Sequence, residues 1–132
     1  MTSGDPRHPV LLDSVILIDH FNGIDDATDY LRDVGDRAAV SAITRAEVLT
    51  GFSSADEVLA ARLLDRFRLV SIGEDIADLA ARLRREQSWK LPDALQAAAA
   101  RHHDLLLVTR NTRDFPPERY EFVRVPYRLD TA

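Results

Sequence analysis

The stretch VLLDSVILID, Val10 to Asp19, limits what this chain can fold into more than any other. Apolar residues run straight into Asp13 and resume after it. An acid inside such a run must find a partner, because burying an unpaired carboxylate is costly. The simplest solution is a buried strand, Val10 to Leu12, that delivers Asp13 to the C-terminal edge of a sheet. Ser14 to Phe21 then reads as a helix whose inner face is Val15 and Ile18, with Leu17 or Phe21, and Asn22-Gly23 stops it.

The rest of the chain repeats this alternation. Asp25 to Val34 is a helix with acids at its start, followed by a turn at Gly35-Asp36 and a strand, Ala38 to Ser41. A helix follows over Thr44 to Phe52, where Thr44 and Glu47 have the spacing of a capping box. The next runs from about Ser54 to Phe67, with Val58, Leu59, Leu63, Leu64 and Phe67 at helical spacing. Leu69 to Ile72 is a strand, and Asp75 to Gln87 an amphipathic helix with Ile76, Leu79, Ala80 and Leu83 inward. Ser88 to Pro92 reads as a loop, and Asp93 stands where an N-cap would, opening an alanine-rich helix to His102. Leu105 to Thr109 is apolar enough for a strand buried on both faces. A loop from Arg110 to Pro117 leads to a last strand, Phe122 to Val125.

Strands alternating with helices predict one α/β domain over 1–132, a central, mainly parallel sheet sandwiched between helices in three layers. In such sheets function gathers at the carboxyl ends of the strands. Asp13, Glu47, Asp93 and Asp114 are all placed to reach that edge. Carboxylates brought together repel, and a divalent cation relieves the repulsion. An all-oxygen set with no cysteine in the chain suits magnesium or manganese. One ion, or a pair about 3.5–4 Å apart, can clamp a phosphodiester for hydrolysis.

Each acid also has a plainer role. Asp13 can cap the following helix, Glu47 can complete the capping box, Asp93 can be only an N-cap, and Asp114 a loop acid. Spacing alone favours the plainer role for Glu47 and Asp114 and leaves Asp93 even. Asp19 reads as a solvated or supporting residue. The adjacent His102 and His103 read as structural, favourably placed at a helix C-terminus. Ser14 lacks the partners of a serine hydrolase, and no glycine-rich phosphate loop occurs. Trp89, in a basic loop, fits either stacking on a base or packing in the core.

Bulk properties narrow the class. The absence of cysteine excludes a disulfide framework and a thiolate site and fits a cytoplasmic protein. The polar start MTSGDPRHP is no signal peptide, and no apolar stretch is long enough to span a membrane. The net charge of −5 is unusual for a nucleic-acid binder, but carboxylates gathered for a metal contribute to it. The positive charge is concentrated from Arg82 to Arg113 and the negative charge earlier, from Asp19 to Asp36.

The blocks LLDSVILID, SAITRAEVLTGF, LPDALQAAAA and LLLVTRNTRDF, in this order and over nearly the whole chain, resemble the PIN-domain ribonucleases, specifically VapC-type toxins of type II toxin–antitoxin systems. The resemblance implies a PIN-like fold and a magnesium-dependent endoribonuclease, with manganese able to substitute. Its substrates would be structured transfer or ribosomal RNA, and its products would carry a 5′-phosphate and a 3′-hydroxyl. It further implies a homodimer inhibited by a VapB-like antitoxin.

By the same resemblance Asp13, Glu47 and Asp93 are the catalytic, metal-binding acids and Asp114 the fourth. Ser14, Thr109 and Asn111 line the pocket, and Arg110 and Arg113 meet the substrate. The chain departs from the family pattern at Val15, which replaces a polar residue; at Asn111, where many relatives carry Asp; and at Gln96, polar where an apolar residue is usual. A non-catalytic PIN-like module that binds RNA or protein is the alternative, with Val15 as its sign. A phospho-acceptor domain ranks below both, because the later strands lack the required Asp and Lys.

Overall fold

The computed structural model describes residues 7–129; the polar start read above lies partly outside them, in 1–6. The sheet has strands β1 (Val10–Leu12), β2 (Ala38–Ser41), β3 (Arg68–Val70), β4 (Leu106–Val108) and β5 (Val123–Arg124), in the order β3-β2-β1-β4-β5. Every pairing is parallel. Parallel neighbours need crossovers, and helices supply them: α1 (Ser14–Phe21), α2 (Asp25–Val34), α3 (Ala42–Thr50), α4 (Ser54–Leu64), α5 (Glu74–Gln87) and α6 (Leu91–His102).

Both faces of the sheet are covered, which explains why the central strands are apolar at successive positions rather than alternating. Leu11, Ala39 and Leu107 point into one core with Ile76, Leu83 and the alanines of α6. Val10, Leu12, Val40 and Val108 point into the other with Ile16, Leu17, Val48 and Leu64. The alanine run of α6 lets that helix lie close to the sheet; Ala97 to Ala100 are fully enclosed.

The predicted elements appear, with corrections that have physical reasons. The inner face of α1 is Ile16, Leu17 and Asp19, while Ile18 is exposed; Asp13 caps the helix and thereby sets its phase. Helix α4 stops at Leu64, and Val58 and Leu59 lie on its outer side instead of in the core. Helix α3 starts at Ala42 because Ser41, the last residue of β2, caps it by accepting from the Thr44 amide. Thr44 is therefore no N-cap, and its capping box with Glu47 does not form. Helix α6 starts at Leu91, so Leu91 and Pro92 are helical and Asp93 sits in the first turn rather than at the cap. Proline is tolerated there because the first turn needs no amide hydrogen from it. Strands β3, β4 and β5 are each shorter than their apolar runs.

Candidate active site at the carboxyl edge

With all strands parallel, Asp13 and Thr109 follow directly on β1 and β4, and Ser41 ends β2, all at one edge of the sheet. Helix α6 leads back into β4, so its N-terminal turn, with Asp93, lies at that same edge. The strand order reverses direction at β1, and the gap between β1 and β4 is the crevice where open α/β sheets place ligands.

Asp13 is only 8% exposed. Its Oδ1 accepts from the Ser14 amide at 2.9 Å and from Gln96 Nε2 at 3.2 Å, and its Oδ2 from the Thr109 hydroxyl at 2.6 Å. Thr109 is fully buried, and its oxygen in turn accepts from the Asn111 amide. Glu47, on α3, is hydrogen-bonded to the Ser14 side chain, and burial with the nearby Asp13 charge pushes its carboxyl above the usual range. Asp93 is pushed up to about 6, first by burial and then by the charges of Asp114, Asp13 and Glu47, with Lys90 pulling weakly the other way. The predicted acids therefore lie near one another: Asp93 feels the charges of the other three, and Glu47 that of Asp13.

Asp114 belongs to a turn closed by Asn111, whose Nδ2 donates to Asp114 Oδ2 at 3.0 Å and whose Oδ1 accepts from the Asp114 amide. Trp89 braces this turn. Its indole donates to the Asp114 carbonyl at 2.8 Å, and its ring packs on Phe115 and Tyr120 in the core. Core packing, not base stacking, is thus its role. Arg113 is 81% exposed and stands 3.7 Å from Asp114.

Arg110 has a different occupation from the substrate contact expected of it. Its guanidinium grips Asp19 in two bonds, 2.6 and 2.8 Å, and Asp19 also accepts from the Tyr127 hydroxyl at 2.8 Å. Asp19 is 6% exposed, a buried partner rather than a solvated residue. Burial pushes its carboxyl up, but the bonds from Arg110 and Tyr127 outweigh burial and hold it low. His102 and His103 lie edge to face at the far end of α6, remote from the acids in the chain. Burial, His102 and Arg68 lower the His103 pKa, so its cationic form is disfavoured despite the helix end.

Reading the sequence for chemistry passed over Ser41 and Thr44 as site residues and treated Gln96 only as an oddity. The signal was there for Gln96, one amide in an alanine-rich run, one turn after Asp93 on the same helix face.

A parallel α/β/α sheet with an acid-lined crevice at its switch point places the chain among the open α/β folds, which take ligands at that crevice. Within that class the chain belongs to the PIN-domain family, whose model matches residues 10–117. Ribonuclease VapC10 of Mycobacterium tuberculosis (strain H37Rv) is 34% identical to it over 127 residues, 91% of this chain and 94% of that protein. A solved toxin-antitoxin complex from Klebsiella pneumoniae contains a chain 38% identical, with a TM-score of 0.82 over 91% of this chain and 99% of that one. FitAcB from Neisseria gonorrhoeae contains one at 26% identity and a TM-score of 0.73, with the same coverage.

Proposed function

We propose that the chain is a single PIN-like domain that acts as a VapC-type toxin, a metal-dependent endoribonuclease cutting structured RNA. The observation that carries this reading is the set of Asp13, Glu47, Asp93 and Asp114 at one edge, with Asp93 under the charge of the other three. Among the described residues no arginine or lysine pairs with Asp13, Glu47 or Asp93. The name of the mycobacterial relative, a ribonuclease, supports the same chemistry.

The donor set fits a hard divalent cation, magnesium or manganese, because every candidate ligand is an oxygen. Among the described residues no three acidic or histidine side chains are grouped so that all three could hold one ion. That is compatible with magnesium, which keeps several of its waters and takes only one or two carboxylates. Asp13 and Asp93 would hold the ion, with Glu47 and Asp114 beside it. When bound, the ion would supply positive charge at the scissile phosphate.

The protein's own groups divide the remaining work. Asp13, pinned by Ser14, Gln96 and Thr109, is a fixed anchor. Asp93, raised to about 6 by burial and the neighbouring acids, would gain most from the ion's charge. Hydrolysis breaks the bond from phosphorus to the 3′-oxygen and leaves a 5′-phosphate and a 3′-hydroxyl. Arg113, exposed beside Asp114, would meet RNA phosphate, whereas Arg110 acts through Asp19. The partner is a VapB-like antitoxin, a reading supported by the Klebsiella pneumoniae complex, and the chain works as a homodimer in the cytoplasm. No helix among the described residues is long and apolar enough to cross a membrane.

The test is cleavage of transfer and ribosomal RNA with magnesium or manganese. Asp93→Asn should cut at least about 100-fold more slowly, since even the partners that orient a metal-holding carboxylate matter 10- to 100-fold. Equal rates for the variant and the wild type overturn the assignment of Asp93.

A further inference from the structure

Gln96 is 2% exposed, a primary amide on α6 with Asp93 one turn before it and Ala99 and Ala100 one turn after it. The chain has no other reason to bury a polar side chain there, since an aliphatic residue would fill the space without desolvation. The bonds around it fix which way the amide points. The Thr44 amide donates to Ser41 Oγ, so Ser41 donates its own proton to Gln96 Oε1, at 2.6 Å. Thr44 donates its hydroxyl proton to the Leu12 carbonyl, so it accepts from Gln96 Nε2, at 2.6 Å. The second Nε2 proton goes to Asp13 Oδ1. A flipped amide would set its oxygen against the carboxylate and against Thr44. Among the described residues no buried side-chain polar atom is left unpaired.

One amide therefore ties together the three elements that carry acids: β1 with Asp13, α3 with Glu47 and α6 with Asp93. Thr109 restrains only the other oxygen of Asp13, and the Ser14 amide moves with Asp13 itself. Among the described residues, Gln96 alone links that carboxylate by a hydrogen bond to the helix of Asp93.

We propose that Gln96 is a positioning residue: its amide sets the rotamer of Asp13 and the spacing between α3 and α6, and so tunes the affinity of the acid cluster for a divalent cation. The proposal rests on the metal-dependent reading above. Partners that orient a metal-binding carboxylate typically matter 10- to 100-fold for affinity. An apolar side chain of the same length fills the volume but lets Asp13 turn.

Manganese affinity by calorimetry, with the unfolding midpoint of the metal-free protein beside it, separates this role from simple packing. Gln96→Met, close in shape but without the amide, should bind manganese about 10-fold more weakly or worse. Val34→Ala, a core position on α2 outside this network, should lower the midpoint and leave the affinity near wild type. If Gln96→Met fails to fold, Gln96→Asn keeps the amide but is too short to reach Ser41 and Asp13 together, and the same loss is expected. Wild-type affinity in the folded Gln96 variant overturns the proposal. A wild-type protein that binds no manganese overturns the metal reading itself, and this inference with it.

Discussion

Asp13 and Asp19 lie on one short segment, are almost equally buried, and have opposite surroundings. Asp19 is clasped by a cation, Arg110, and by the Tyr127 hydroxyl. Asp13 is held only by uncharged donors and stands next to other acids. A buried acid with its own counter-charge is a structural joint. A buried acid without one, surrounded by like charges, is a site organised around something absent from the chain. The joint also serves the site: Arg110 lies between Thr109 and Asn111, so the grip on Asp19 pins the loop that carries Asn111 and Asp114 to α1.

The largest effect that tests this contrast is on stability. Asp19→Asn leaves the Arg110 guanidinium without its counter-ion and should cost about 2–4 kcal/mol. Asp13→Asn removes a charge from a repelling cluster and should leave the metal-free protein no less stable. Denaturant midpoints at constant slope measure both. Equal losses would erase the distinction between joint and site.

The second test is pH. The Asp93 carboxyl is raised from 3.8 to about 6, so the folded state holds its proton more tightly. That contribution is fully present below about pH 4 and is lost as the pH rises through 6. Asp19 is lowered, so its contribution is present above about pH 4 and is lost as acid protonates it. Asp93→Asn should therefore stabilise the metal-free protein at pH 7 by about 1–2 kcal/mol, after allowing for solvent screening of a partly exposed group. It should also flatten the decline between pH 4 and 6. Manganese at pH 7 should recover part of the same stability in the wild type. A wild-type profile that is level from pH 4 to 7 would contradict the mutual repulsion.

The smallest effect belongs to Tyr127→Phe, which deletes one hydrogen bond to Asp19 and keeps the ring. A loss of about 1 kcal/mol is expected in thermal or chemical unfolding. A loss near that of Asp19→Asn would make Tyr127, rather than Arg110, the principal partner.

The apolar runs were sufficient to read a parallel sheet covered on both faces and to bring Asp13, Glu47, Asp93 and Asp114 to one edge, because strand burial and helix period are local patterns. Boundaries were less legible where a cap decided them. Ser41 starts α3 earlier than Thr44 would, and Pro92 belongs inside α6. On α1 and α4 the reading placed Val15, Leu17, Phe21, Leu64 and Phe67 against the core correctly, but Ile18, Val58 and Leu59 face outward, because both segments are apolar on more than one side and only packing selects which side is covered.

What the sequence determined by itself was the order of the elements and the inventory of acids, since both follow from residue type and spacing. What the tertiary structure alone decided was the partner of each acid. Arg110 and Tyr127 reach Asp19 from the far end of the chain, and Gln96 reaches Asp13 across the sheet edge. A hydrogen bond depends on placement within a fraction of an ångström between residues distant in sequence, and no local pattern encodes that. The same carboxylate can be a joint or a site, and the charge that folding brings beside it decides which.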